Sequence, residues 1–288
     1  MTATLETLVI AGYVFACEPQ TPRSLGRPPE VSDEELVALA VAQATTGICS
    51  DRQFLGMVGK LLPGFFPRLP SQSQYNRRLR ALTPKLVWVQ QRLSALLQCG
   101  TLRLADGTLL GVANYAGCQH RSEFAGHAAY GYCPSKSRFY WGMRLVLLTD
   151  AQGLPVGYTL VSANEKEYEP VRELATSQAG STLIADKGLW GREYAETLHL
   201  QGVTIRTPAR ERTAANAEGE RSLAGLRLVV ESTFSNLKCQ MRLEQHLAKT
   251  PAGLVQRIAQ RLLALTLGML LNAMLGRAPR SLVAYDGR

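Results

Sequence analysis

Phe139-Tyr-Trp-Gly-Met-Arg-Leu-Val-Leu-Leu148, Thr149-Asp150-Ala-Gln-Gly153 and Leu154-Pro-Val-Gly-Tyr-Thr-Leu-Val161 follow one another without a break. The outer pieces are aliphatic, β-branched and aromatic, and the middle piece is rich in residues that tolerate left-handed backbone, so the stretch predicts a β-hairpin. On its N-terminal side, Leu102-Arg-Leu-Ala-Asp106-Gly107 with Leu109 to Val112 predicts another strand with a glycine-assisted bend. On its C-terminal side the pattern alternates: a helix over Glu167 to Thr176, a short buried strand over Thr182 to Ala185, a helix over Glu193 to Leu200 and a strand over Val203 to Arg206. Leu223 to Leu243 and Leu254 to Leu275 then read as helices. A hairpin followed by alternating helix and strand implies an α/β fold, with a mixed sheet covered by helices.

The first hundred residues differ in character. Pro19, Pro22, Pro28 and Pro29 with Gly26 make an extended connector. Ser32-Asp33-Glu34-Glu35 then has the form of a capping box leading into the run Leu36 to Ala44. After Pro63-Gly64, Pro67 and Pro70, helices are expected over Tyr75 to Leu82 and Leu86 to Leu97. This places an all-α region at 1–100 and a catalytic region at 101–288, divided near Cys99-Gly100. The chain of 288 residues is 46% hydrophobic and 19% charged, which excludes a disordered or disulfide-scaffold protein. Six scattered cysteines without a C-x-x-C pair suit a reducing compartment, so a cytoplasmic location is expected. The N-terminal apolar patch lacks the basic flank of a signal peptide, and the run Leu262 to Leu275 is short for a membrane span.

A net charge of +9 favours a polyanionic partner. The excess is +3 over residues 1–100, zero over 101–180 and +6 over 181–288. Against that background three carboxylates stand out, because each adjoins an apolar run where an ionised group is costly unless paired or metal-bound. They are Asp106 after Leu102-Arg-Leu-Ala, Asp186 after Leu183-Ile-Ala, and Glu231 after Leu228-Val-Val. Glu165, Glu167 and Glu169 read instead as a solvated face, and Asp150 as a turn residue. Two carboxylates about 4 Å apart repel by about 4 kcal/mol at an effective dielectric near 20, which divalent cations offset. Hard oxygen donors select Mg²⁺ or Mn²⁺. On a continuous α-helix Arg227, Glu231 and Lys238 share one face, beside an apolar stripe of Leu226, Val230, Leu237 and Met241.

The order strand with Asp106, hairpin, strand with Asp186, helix with Glu231 resembles the DDE transposases of bacterial insertion sequences. The likeness spans roughly Thr101 to Leu247 and is sharpest in three places. These are Gly142 to Val156 continuing to Ala163-Asn164, Ile184-Ala-Asp186-Lys-Gly188, and Arg227-x-x-x-Glu231-x-x-x-x-x-x-Lys238. The third is similar to the signature Y-x-x-R-x-x-x-E-x-x-x-x-x-x-K, with Ala224 in place of the tyrosine. Segment order and size look closest to the insertion-sequence 982 type, where Ala-Asn-x-His-Asp is usual and this chain has Ala163-Asn164-Glu165-Lys166-Glu167.

The resemblance implies an RNase H-like mixed five-stranded sheet flanked by helices. It further implies a DNA transposase in which Asp106, Asp186 and Glu231 hold two Mg²⁺ or Mn²⁺ ions, with cleavage of the element's ends and transfer of the 3′-hydroxyl strand to target DNA. Double-stranded DNA, as terminal repeats and target site, is the implied partner, and a homodimer the implied assembly. A structure-specific nuclease and a non-catalytic DNA-binding derivative are the alternatives.

DNA contacts are expected from Arg77, Arg78 and Arg80, where a basic helix begins in a possible helix-turn-helix. Arg121, Lys136 and Arg138 lie in a stretch that reads as loop, Arg227 precedes the glutamate, and Lys238 and Arg242 follow it. Arg192, Arg206, Arg210, Arg212 and Arg221 are further candidates for backbone contacts. Cys118, His120, His127 and Cys133 match no common zinc spacing, and no phosphate-binding G-x-x-x-x-G-K-[ST] loop is present, so neither zinc nor a nucleotide cofactor is expected.

Overall fold

The hairpin forms as its sequence requires. Strand β3 (Arg138–Asp150) turns back into β4 (Pro155–Ser162). Asp150 closes the turn: its Oδ1 accepts the backbone N–H groups of Gln152 at 2.8 Å and Leu154 at 3.0 Å. It is buried, and Oδ2 also accepts the N–H of Cys99 at 3.3 Å. The computed structural model describes residues 4–18, 29–113, 117–184, 191–206 and 217–287, without the side chains of 135, 192, 217–222 and 224.

Strand β1 (Leu102–Ala113) runs antiparallel to β3 on one side and parallel to β5 (Thr182–Ile184) on the other. Next to β5 lies β6 (Thr204–Arg206), also parallel. Three antiparallel strands joined to two parallel ones in the order β4-β3-β1-β5-β6 is the RNase H-like arrangement. A sixth strand, β2 (Ala129–Cys133), pairs with Arg138 to Gly142 of β3, in the stretch whose sequence reads as loop. Between β1 and β2 lies one helical turn, α6 (Cys118–Arg121). The strands close tightly at Gly142, where an added Cβ would fall 2.0 Å from the Leu110 carbonyl oxygen.

One face of this sheet is covered by helices. Ala105, Val146, Leu148 and Leu183 pack with Val171 and Ala175 of α7 (Tyr168–Thr176) and with Tyr194 and Leu198 of α8 (Arg192–Leu200). Each buried valine or leucine among them contributes roughly 1.5–3 kcal/mol. The Tyr194 hydroxyl donates to the Tyr168 carbonyl at 3.1 Å, and burial pushes its pKa up. Because strand side chains alternate, the other face of β1 carries Leu104, Asp106, Thr108 and Leu110. Helix α9 (Ala217–Ser235) is anchored to the hairpin turn by Thr233, whose hydroxyl lies 3.0 Å from the Gly153 carbonyl oxygen.

The chain divides into two compact units, Leu97–Phe234 and the pair Met1–Leu96 with Ser235–Arg288. The first division falls between Leu96 and Leu97, and the sequence reading divides the chain near Cys99-Gly100. The C-terminal segment, however, belongs to the helical unit by its contacts, whereas the sequence reading attached it to the sheet.

The helical unit contains α1 (Leu5–Cys17), α2 (Asp33–Thr46), α3 (Asp51–Leu61), α4 (Gln72–Ala81), α5 (Thr83–Leu97) and α10 (Pro251–Met274). The expected capping box at α2 is present: Ser32 Oγ accepts the Glu35 N–H at 3.1 Å and Glu35 Oε2 accepts the Ser32 N–H at 2.6 Å. Helix α10, expected over Leu254 to Leu275, starts three residues earlier at Pro251, and at 24 residues it is long and apolar enough to cross a membrane. Nearly all of it is buried instead, against α1 and α2 among others. The connection from α3 to α4 is the ten residues 62–71, longer than the roughly three- or four-residue turn of a helix-turn-helix. The proline-rich stretch 19–28 lies outside the described residues.

A buried polar cluster ties α10 to α2, α3 and α4. Asp51 accepts hydrogen bonds from Arg257 at 2.6 Å, from Gln43 at 2.8 Å and from Asn76. Gln43 in turn accepts from the Tyr75 hydroxyl at 3.0 Å and from Arg257 at 3.2 Å. One turn on, Arg261 donates to the Met241 carbonyl at 2.8 Å; burial, followed by the nearby Arg257, lowers its pKa to about 10.

Removing one member of a buried ion pair leaves the other uncompensated, at a cost of about 3–5 kcal/mol. Asp51→Ala is therefore expected to lower the urea-unfolding free energy by that amount, and Asp51→Leu with Arg257→Leu to lower it by less. A loss under about 1 kcal/mol in Asp51→Ala would show that the pair carries no such weight.

Candidate active site

Asp106 is the fifth residue of β1, opposite Leu147 of β3. The sequence reading put it at a strand end with a bend at Gly107. The strand instead continues to Ala113, and its one irregularity against β3 falls between Gly111 and Ala113. The reason is that Gly107, Thr108 and Leu109 all keep register with β3, so ladder hydrogen bonding outweighs the local preference of glycine for a bend. Asp106 is half-buried, flanked by buried Leu104 and Thr108 on its own face. Its Oδ1 accepts the Gly107 N–H at 2.8 Å, which fixes the carboxylate against its own backbone.

On the opposite face, Gly107 lies against Glu167. A Cβ on Gly107 would sit 2.6 Å from Glu167 Oε1 and 2.9 Å from its Cδ. That carboxylate is held in place by an ion pair with Arg144, itself directly across from Leu109, and Arg144 also donates to the Ala163 carbonyl at 3.3 Å. Glu167 is therefore not part of a solvated face with Glu165 and Glu169, which are exposed. The signal available in the sequence was Arg144, a cation in the middle of a strand whose neighbours are apolar and which needs a counter-charge when folded.

Asp186 lies outside the described residues, which resume at Gly191. The strand leading to it is described: Leu104 of β1 is the parallel partner of Ile184 of β5. In sequence, Asp106 follows Leu104 by two residues and Asp186 follows Ile184 by two.

Glu231 is on α9 and exposed. The apolar run before it is not uniformly buried, as had been expected: Val230 is 3% exposed but Leu228 is 63% exposed. At 100° per residue, Leu228 falls on the solvent side when Val230, Thr233 and Phe234 face inward. Arg227 is half-buried one turn before Glu231. Helix α9 does not continue as an α-helix to Leu243; it passes at Asn236–Gln240 into a wider π-helical turn. The shared face computed for Arg227, Glu231 and Lys238 assumes an unbroken α-helix and does not extend to Lys238. That lysine pairs with Glu244 at 3.9 Å.

Among the described residues, no group of three or more His, Cys, Asp or Glu side chains gathers as a metal site. That covers Cys118, His120, His127 and Cys133. The chemistry of Asp106 and Glu231, hard carboxylate oxygens, fits Mg²⁺ or Mn²⁺.

The expected DNA-contacting residues fall into three groups. Arg77 and Arg80 are exposed on α4, and Arg80 lines a cavity of about 280 Å³ with Lys249 and Thr250. Arg78 is engaged internally: it donates to the Val31 carbonyl at 2.7 Å and pairs with Asp33 at 2.6 Å. Arg121, Lys136 and Arg138 are exposed, and Arg242 is exposed at a positive φ of 52°. Arg206 is exposed on β6. Arg210 and Arg212 lie outside the described residues, as do the side chains of Arg192 and Arg221.

Residues 97–267 match the family model described as Transposase DDE domain. No curated protein matches the chain. Among solved structures, the chain is similar to piggyBac transposase in the cryo-EM structure of its synaptic complex with hairpin DNA. The identity is 10% and the TM-score 0.47, over 96% of this chain and 74% of that one.

The close approach at Gly107 has a measurable consequence. Gly107→Ala should cost about 1–3 kcal/mol, the usual cost of overpacking, because the Arg144 ion pair prevents the Glu167 carboxylate from swinging aside. Adding Glu167→Ala should return part of that loss. Strictly additive unfolding free energies in the double-mutant cycle would remove the contact from the account.

Proposed function

The chain belongs to the transposase DDE domain family, and from that premise we propose that it is a DNA transposase that cleaves the ends of its element and joins the freed 3′-hydroxyl to target DNA. The observation that carries the reading is the placement of Asp106. It is a half-buried carboxylate in the central strand of the sheet, on the face away from α7 and α8, beside the parallel strand that leads to Asp186.

Asp106, Asp186 and Glu231 would hold two Mg²⁺ or Mn²⁺ ions. Such a pair supplies charge stabilisation to the attacking and leaving oxygens of an in-line phosphoryl displacement. The chain's own residues do the rest. Asp106 is kept in one orientation by the Gly107 N–H, so little rotamer freedom is lost on ligand binding. Glu231 projects from a helix tied to the hairpin turn through Thr233. Arg227, one turn before Glu231, is suited to a DNA phosphate or to steadying the glutamate. The basic surplus at the two ends of the chain, with exposed Arg77, Arg80 and Arg242, and the exposed Arg121 between them provide the sequence-independent part of binding to double-stranded DNA. Paired element ends call for a homodimer.

The test uses purified protein, Mg²⁺ and the DNA that flanks its coding sequence. Asp106→Asn and Glu231→Gln should each reduce end cleavage by more than about a hundredfold, the loss that removing one preorganised charge-stabilising group causes, and leave affinity for DNA ends nearly unchanged. Full activity in Asp106→Asn would end the assignment, and cleavage without strand transfer by the wild type would make the protein a nuclease.

The two neighbouring arginines of α4 should separate cleanly. Arg77→Ala is expected to weaken DNA binding and to reduce the salt slope by about one unit of log K per log salt. Arg78→Ala is expected to act on stability through the lost Asp33 pair. Equal salt slopes in wild type and Arg77→Ala would take α4 out of the DNA interface.

A further inference from the structure

The hairpin formed by β2 and the first residues of β3 is built unlike the rest of the sheet. Tyr132 is the direct antiparallel partner of Phe139, and Tyr130 of Trp141, so all four rings share one face. Trp141 is 4% exposed and roots the hairpin, whereas Tyr130 is 47%, Tyr132 48% and Phe139 66% exposed. The Tyr132 and Phe139 rings pack at 5.1 Å between centroids, which holds both in place. The other face carries cations. Arg138 lies 4.3 Å and Lys136 5.6 Å from the centroid of the Tyr140 ring. From Gly117 to Gly142 the chain has Arg121, Lys136 and Arg138 against one carboxylate, Glu123.

Three adjacent exposed rings on one strand pair form a contiguous apolar patch of the kind that marks an interaction site. The flanking charge names its partner. The excess of cations over carboxylates in this segment favours a polyanion, and exposed aromatic rings on a basic segment are a means of gripping single-stranded nucleic acid, whose bases offer π-faces. Paired bases inside a duplex hide those faces. We infer that the β2–β3 hairpin is a stacking platform for unpaired bases of the DNA substrate, with Phe139 and Tyr132 receiving the bases on the aromatic face. The inference rests on the transposase reading and adds to it a preference for opened ends.

The experiment compares a duplex with the same duplex carrying an unpaired tail that contains 2-aminopurine, using full-length protein. Wild type should prefer the tailed DNA and quench its fluorescence. Phe139→Ala should lose about tenfold in affinity for the tail, with duplex affinity unchanged and quenching abolished. Tyr132→Ala should act in the same direction, and Phe139→Trp should restore both readouts. An unchanged ratio of tailed to duplex affinity in Phe139→Ala overturns the platform while leaving the transposase reading intact. A change in the sedimentation of the DNA-free protein in both alanine variants, with the affinity ratio unchanged, would instead make the patch an interface between copies. Wild-type protein that binds neither DNA would overturn the function and the platform together.

Discussion

The helical unit is made from two stretches of chain that are far apart in sequence, and the buried pair between Asp51 and Arg257 joins them across 206 positions. An ion pair in this setting is expensive to desolvate, and its attraction repays the cost only when the remaining hydrogen-bonding sites are filled. Here they are filled: Gln43, Asn76 and Tyr75 complete the cluster from α2 and α4. Apolar packing alone would let a helix as rich in leucine and alanine as α10 slide or rotate. The fixed geometry of a guanidinium between Asp51 and Gln43 selects one register. Folding of this unit therefore waits on the meeting of segments separated by the whole Leu97–Phe234 unit.

Within the sheet unit the governing constraint is the two-residue period of β1. Ala105 faces the helices α7 and α8, so Asp106 cannot. Gly107 returns to the helix side, where the absence of a side chain leaves room for the Glu167 carboxylate and its Arg144 partner. One strand thus presents a carboxylate to one face and accepts a half-buried ion pair on the other. A one-residue slip would exchange the two and bury Asp106 among the aliphatic side chains of the core.

The basic surplus of the chain is not one surface but several uses of the same residue type. Arg78, Arg144, Arg257 and Arg261 are consumed by internal carboxylates and carbonyls. Arg77, Arg121, Lys136 and Arg138 remain exposed. Net charge measures the sum of both sets, so only burial separates the cations that hold the fold from those that face a polyanion.

The sequence by itself determined the elements whose causes are local. The β3–β4 hairpin follows from the Asp150 turn between two apolar runs, and the start of α2 from the Ser32–Glu35 capping box. The order of Asp106, Asp186 and Glu231 along the chain was sufficient to suggest the family that the match over residues 97–267 establishes. Strand β2 was illegible because five residues rich in tyrosine and glycine have no stable pattern until β3 supplies their partners. The role of Glu167 was misread for a similar reason, since a glutamate among exposed glutamates is marked as different only by an arginine 23 positions away. The end of α9 and the membership of α10 in the helical unit were also decided by tertiary contact. Turn and cap preferences act over a few residues and survive in the sequence as pattern, whereas burial and ion pairing depend on which distant segments arrive together, and only the folded chain brings them there.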